Sequence, residues 1–250
     1  VTAVPPGGQP KAVPPPGWRL RIHESLPSTS DLLLRLAAAG EPEGLAVLAR
    51  RQTGGRGRDG RAWESPAGNM YLSVLLRPAG PAREAGRWSL LAAVALADAL
   101  AGFAPDPRAV ALKWPNDLLL DGAKLAGLLC ESAADAQGRL EWLVIGMGAN
   151  LAVAPAVEDR PTARLGAVPP EQVAVAVLAA LDRWRRSWLV EGFGAVRAAW
   201  MARGPALDQH LAIRGGIAGR YAGLAEDGSL LLATGGRVHA VASGEIAGMG

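Results

Sequence analysis

The sequence predicts an α+β chain with a small all-β unit at its C-terminal end. Two observations carry this. From Trp18 to Arg203, short strand-like apolar runs are interspersed with longer helical ones. From Leu207 onward the runs are short and divided by glycine turns, such as Glu226-Asp227-Gly228-Ser229 and Gly235-Gly236, which fits one SH3-like barrel. Half of the 250 residues are hydrophobic, enough for a full core and a second small one. The expected division is a lead-in over residues 1–17, a main domain over 18–205 and the β-unit over 206–250.

In chain order, residues 18–23 alternate like a strand, which Pro27 ends. Ser28-Thr29-Ser30-Asp31 supplies helix-capping side chains before the apolar stretch 32–37, and Gly40 is the stop. Such a helix start suits a small polar ligand, and plain capping explains the same residues. Residues 45–49 and 70–77 read as strands, 84–103 as a helix and 109–113 as a strand. Asp121-Gly122 predicts a tight hairpin turn. Residues 140–150 form a strand that ends in a glycine-rich turn, and 170–190 and 194–203 are helical. No internal repeat occurs.

Composition narrows the function classes. There are 26 Lys plus Arg against 23 Asp plus Glu, and a net charge of +3 is too small to argue for nucleic acid. The single cysteine, Cys130, excludes an intramolecular disulfide and fits a reducing, cytoplasmic setting. The run 88–104 is rich in alanine and broken by Asp98, so it reads as a packed helix rather than a membrane span. Six prolines from Pro5 to Pro16 suggest a disordered or extended lead-in, without the features of a signal peptide.

Two stretches carry chemistry. Gln52 to Ser65 holds four glycines and three arginines, with Trp63 behind them. Glycines let backbone N–H groups approach an anion, and arginines supply forked cationic donors. The loop reads as mobile when empty and closing on a phosphate-bearing ligand; a solvated basic loop is the alternative. Gly55-Arg56-Gly57-Arg58-Asp59-Gly60 matches the dinucleotide pattern G-x-G-x-x-G. Pro66 and Gly68 exclude the helix which that fingerprint needs.

The second stretch runs from Lys113 to Gly127. The hairpin brings Asn116-Asp117 beside Lys124-Leu125-Ala126-Gly127, so two lysines, an amide and a carboxylate converge. The lysines suit a developing pyrophosphate charge, and Asp117 suits a proton or a metal ion. A surface hairpin explains Lys124 but fits Trp114-Pro115-Asn116-Asp117 less well. The histidines His23, His210 and His239 show no ligand spacing, no nucleophile elbow occurs, and no metal ligands can be assigned.

Taken together, the loop G-R-G-R-D-G-R-A-W, the run K-W-P-N-D followed by K-L-A-G, and the strand end G-M-G-A-N resemble those of biotin protein ligases, in order and spacing. The resemblance spans nearly all the chain after Trp18. It implies a mixed sheet with flanking helices, related to class II aminoacyl-tRNA synthetases and lipoate ligases, followed by an SH3-like domain. It implies activation of biotin by Mg2+-ATP to biotinyl-5'-AMP, then transfer to a lysine of a biotin carboxyl carrier protein.

By the same resemblance, Ser28, Thr29, Gln52, Gly55 and Arg56 would hold biotin, with Gly127 lining its pocket and Lys124 at its carboxylate. Arg58 and Arg61 would close on the phosphate, Trp63 would stack near adenine, and Lys113, Asn116 and Asn150 would serve the nucleotide. Lys124, Arg58 and Asp117 are the candidate catalytic residues. Biotin's carboxylate is itself the nucleophile, so the enzyme needs only to neutralise charge and align reactants. Asp117 is a candidate to take the proton of the incoming lysine.

Two departures stand out. The family has Ser-Thr-Asn where this chain has Ser28-Thr29-Ser30. Its repressor branch carries a helix-turn-helix domain, and here only the proline-rich lead-in precedes Trp18, so no DNA partner is expected. No membrane partner is expected, and a homodimer is open. The rivals are a lipoate–protein ligase and a basic nucleic-acid-binding module.

Overall fold

Burial along the central strands shows how the layers form. In the computed structural model, which describes residues 13–157 and 160–247, β2 (Leu45–Ala49) and β3 (Met70–Leu76) are buried throughout. Side chains alternate between faces along a strand, so these strands are apolar on both. Leu45, Val47 and Leu75 pack with Leu33 and Ala37 of helix α1 (Thr29–Ala38). Ala46, Leu48, Leu72 and Val74 pack instead into the larger core, with helices α2 (Ala85–Ala101) and α3 (Pro170–Glu191). The sheet thus lies between α1 on one face and α2, α3 and α4 (Phe193–Met201) on the other.

The main sheet has seven strands in the order β1-β2-β3-β7-β6-β5-β4. Its other members are β1 (Arg19–His23), β4 (Val110–Lys113), β5 (Asp117–Leu120), β6 (Ala123–Ala134) and β7 (Leu140–Ala149). β1 pairs parallel with β2 and every other pairing in this sheet is antiparallel, which makes it the mixed sheet expected. The Asp121-Gly122 turn has positive φ at both residues (49° and 79°), the left-handed pair that a two-residue hairpin requires. The Trp114–Pro115 peptide is cis.

The C-terminal unit is a four-stranded antiparallel sheet in the order β11-β10-β9-β8. Its strands are β8 (His210–Ala212), β9 (Ala218–Leu224), β10 (Leu230–Thr234) and β11 (Arg237–Val241). Leu211, Tyr221, Leu230 and Leu232 join the same core as α2 and α4, so the small sheet is packed onto the large unit. Arg87 Nε donates to the Glu226 carbonyl at 2.8 Å, which ties α2 to the β9–β10 turn.

Residues 1–12 of the proposed lead-in lie outside the described residues, and 13–17 form neither helix nor strand. Among the described residues, no helix is long and apolar enough to cross a membrane. The run around Asp98 is instead the buried helix α2, whose Asp98 meets Arg183, Arg203 and Trp184 Nε1 at 2.7–2.8 Å.

Candidate functional site

Strand alternation places the site. Tyr71 and Ser73 share the α1 face with Leu75, and Gly146 and Gly148 share it with Val144. Toward the N-terminus of α1, this face carries Ser73, Gly146 and Gly148 instead of leucines. A cavity of about 410 Å³ opens there, lined among others by Ser28, Gln52, Trp63, Lys124, Gly127 and Gly148.

The floor is glycine. Gly127 and Gly148 face each other across the β6–β7 ladder. Trp63 lies directly on them: a Cβ at Gly148 would stand 2.6 Å from Trp63 Cε2, and one at Gly127 would stand 3.1 Å from Cζ3. Only glycine permits such a close approach. The Trp63 Nε1–H is buried without a hydrogen-bond partner, and the Lys124 ammonium stands 5.3 Å from the ring centre. Gly55 is equally constrained, because a side chain there would strike the Trp63 carbonyl and Ser65 Oγ.

One end of the cavity is a corner of hydroxyls and an amide. Ser28 caps α1, its Oγ accepting from the Asp31 N–H at 3.2 Å. Gln52 Oε1 accepts from the Thr29 backbone N–H at 2.8 Å. Ser73 Oγ stands 2.7 Å from Thr29 Oγ1 and 3.0 Å from Ser30 Oγ, all three residues being buried.

The other end is charged. Lys124 Nζ lies 2.7 Å from Asp117 Oδ1, and Arg160 Nη1 lies 3.5 Å from Asp117 Oδ2. Glu245, from the segment after β11, pairs with Arg160 at 2.9 Å and with Arg61 at 3.0 Å. Burial alone would raise the Glu245 carboxyl, but the hydrogen bond from Arg61 and the charge of Arg160 outweigh it and hold the group below its ordinary value. Lys113 is shifted down, chiefly by burial and then by the charges of Arg160 and Lys124, with Asp117 and Glu245 opposing.

The loop from Gln52 to Ser65 folds into a small closed turn. A short 3-10 turn at Arg58–Gly60 is clasped by the Arg56–Ala62 bridge, and a strand rather than a helix follows. Each arginine is tethered. Arg56 binds Glu131 and Asp31 at 2.8 Å each, which holds its guanidinium firmly protonated. Arg58 donates to the Gly244 carbonyl at 3.2 Å and to Asn116 Oδ1 at 3.4 Å.

Of the residues anticipated from sequence, Ser28, Thr29, Gln52, Arg56, Arg58, Arg61, Trp63, Asn116, Asp117, Lys124, Gly127 and Asn150 all line this one cavity. Gly55 supports it from beneath Trp63, and Lys113 pairs with Asp117 in the β4–β5 ladder without lining it. Asn150 Nδ2 donates to the Ala163 carbonyl at 3.1 Å, so it also fixes the wall after β7. Sequence reading missed Arg160, Glu245 and Ser73. Ser73 did leave a signal, a hydroxyl in an otherwise apolar strand. Arg160 and Glu245 left none, since only the fold brings them to Asp117 and Arg61. Among the described residues, no group of three or more His, Cys, Asp or Glu could hold a metal ion.

Known proteins are similar to this chain in sequence and in fold. A biotin–[acetyl-CoA-carboxylase] ligase from Paracoccus denitrificans is 42% identical over 200 residues, covering 74% of this chain and 82% of that one. Its counterpart from Mycobacterium tuberculosis is 32% identical over 248 residues, covering 92% and 89%. The structure of biotin protein ligase from Aquifex aeolicus in complex with biotin and ATP superposes with a TM-score of 0.74 at 27% identity, covering 91% of this chain and 97% of that one. The model of the biotin/lipoate A/B protein ligase family matches residues 22–150, which contain the glycine floor, the arginine loop and the Asp117–Lys124 pair, and this chain therefore belongs to that family.

Proposed function

We propose that the chain is a biotin–[acetyl-CoA-carboxylase] ligase, which makes biotinyl-5'-AMP from biotin and ATP and passes the biotinyl group to a carrier lysine. The observation that carries this is the placement of Lys124. Its side chain runs beside Gly127, and its ammonium shares Asp117 with Arg160, in the cavity that Arg58 and Arg61 also line. An anionic carboxylate and an anionic triphosphate meet there only if cations offset their repulsion.

In the first step a biotin carboxylate oxygen bonds to the α-phosphorus, and the bond to pyrophosphate breaks. Lys124 neutralises the reacting oxygens, and Arg58 and Arg61 bind the phosphates. Lys113, Asn116, Asn150 and Trp63 hold the nucleotide. Mg2+ enters as part of the Mg-ATP substrate. In the second step the carrier's lysine nitrogen attacks the acyl carbon, and AMP leaves. Asp117, already held at 2.7 Å by Lys124, takes the proton of that amine. Ser28, Thr29, Gln52 and Arg56 hold biotin, with Gly127 lining its pocket and Gly55 letting the loop fold closely enough to place Gln52 and Trp63.

The finer organisation follows the same reading. Residues 18–205 form the catalytic domain, and 206–250 form an SH3-like unit that contributes Glu245 to the site. The carrier is the biotin carboxyl carrier protein of acetyl-CoA carboxylase or a similar domain. The outer edge of β1, which has β2 as its one neighbour in the sheet, offers a second copy a surface for pairing. The modest charge of +3 supports a protein without a DNA partner, and the single cysteine supports a cytoplasmic one. The test is biotin-dependent exchange of pyrophosphate into ATP. Exchange with biotin and none with lipoate supports the reading; exchange with lipoate alone refutes it.

A further inference from the structure

The hydroxyl corner has one consistent arrangement of protons. Gln52 sets it. Its Oε1 accepts from the Thr29 N–H at 2.8 Å, and the flipped amide would set two donors face to face. In the remaining orientation Gln52 Nε2 donates to Ser65 Oγ at 3.1 Å, which donates to the Trp63 carbonyl at 2.9 Å.

Thr29 Oγ1 lies 3.1 Å from the same Gln52 Oε1. A carbonyl oxygen only accepts, so the single Thr29 proton goes there; otherwise two acceptor oxygens would face each other. Ser73 must then be the donor in its 2.7 Å contact with Thr29. Ser73 has no proton left for Ser30, so Ser30 is the donor in their 3.0 Å contact. The polarity therefore runs from Ser30 through Ser73 and Thr29 to Gln52.

The consequence appears at the cavity wall. Ser30 lines the cavity and Ser73 does not. With its proton committed inward, Ser30 turns lone pairs outward. Ser28 has the opposite sense: its oxygen accepts the Asp31 N–H, and its proton remains available. The wall thus offers an acceptor beside a donor, the complement of a ring N–H beside a ring carbonyl.

We infer that Ser73, buried beneath the wall, is a positioning residue that fixes this polarity and thereby selects a cyclic urea over a ring without N–H groups. The inference rests on reading the cavity as the biotin site. Without the Ser73 hydroxyl, Thr29 loses its donor and the Ser30 proton is released to turn outward, against a ligand N–H. A dithiolane ring, with no N–H, gains nothing from the native polarity.

The test is steady-state adenylation by wild type, Ser73→Ala and Ser73→Thr. The substrates are biotin and an analogue with CH2 in place of one ring N–H. One lost hydrogen bond corresponds to roughly a five- to tenfold change. Ser73→Ala is expected to raise KM for biotin by about that factor and to leave KM for ATP within about twofold. It should also narrow the preference for biotin over the analogue, while Ser73→Thr, which keeps the hydroxyl, preserves that preference. If Ser73→Ala is too unstable to assay, Ser30→Ala removes the acceptor itself and should narrow the preference likewise. A working wild type with an unaltered preference in the assayable variant overturns the role of Ser73 alone. A wild type that turns over no ATP with biotin refutes the ligase reading and this inference together.

Discussion

Asp117 and Lys124 come from opposite arms of one hairpin, and their side chains meet at 2.7 Å with both largely shielded from water. The hairpin turn, the β5–β6 register and the charge pair form one unit. The carboxylate holds the ammonium at the point where the two substrates meet. Lys124→Met is expected to abolish adenylate formation. The fold should survive, because Asp117 keeps Arg160 at 3.5 Å. Pyrophosphate release would be measured beside the melting temperature, and release at the wild-type rate would contradict the assignment.

The glycine floor gives an ordered pair of outcomes. A methyl group at Gly148 would stand 2.6 Å from Trp63, against 3.1 Å for one at Gly127. Gly148→Ala should therefore displace the tryptophan, an overpacking cost of about 1–3 kcal/mol, and weaken nucleotide binding more than Gly127→Ala does. Calorimetric titration with ATP ranks the two, and the reverse order would refute the contact.

Arg58 reaches both Asn116 and the Gly244 carbonyl, so it ties the arginine loop to the hairpin and to the C-terminal segment. Arg58→Gly is expected to make adenylate but to lose it. A hydrogen bond to a charged group is worth about 1.5–3 kcal/mol, so escape should rise roughly ten- to hundredfold. Released adenylate acylates exposed lysines. Streptavidin probing of a non-carrier protein should show the labelling, and wild-type labelling with continued synthesis would move Arg58 to the chemical step.

Glu245 makes loop closure sensitive to acid. Its folded pKa lies below the ordinary 4.5, so its stabilising effect is full above that value and is lost as pH falls through the folded one. Glu245→Gln should be less stable than wild type near neutral pH, by about 1 kcal/mol, and equal to it in strong acid. Melting curves across that range check the sign. A gap that widens in acid would be inconsistent with the Arg61 and Arg160 pairing.

What the sequence disclosed was local. Alternation marked β1, short apolar runs marked β2 and β3, Asp121-Gly122 fixed the hairpin, and Ser28 announced the cap of α1. Every part of the site built from such stretches could be assembled on paper, because a two-residue turn dictates which residues become neighbours. Arg160 and Glu245 are different. Arg160 reaches Asp117 because the segment after β7 runs beside Lys124, whose N–H donates to the Pro161 carbonyl. Glu245 reaches Arg61 only after the C-terminal sheet packs onto α2 and α4, and no local pattern encodes either contact. Ser73 lies between these cases. Its polarity within β3 was visible, but its meaning depends on Thr29 and Ser30 arriving from α1. The tethering of all three loop arginines was likewise invisible, since their partners include Glu131, Gly244 and Glu245.

The central claim is that one cavity activates biotin and delivers it to a carrier lysine. Intact mass measurement of an acceptor domain tests it most directly, after incubation with this protein, biotin and Mg-ATP. The account predicts a gain of one biotinyl group per acceptor, absent without ATP and absent when the acceptor lysine is replaced. An acceptor of unchanged mass, in a reaction where a known ligase modifies the same domain, would contradict it.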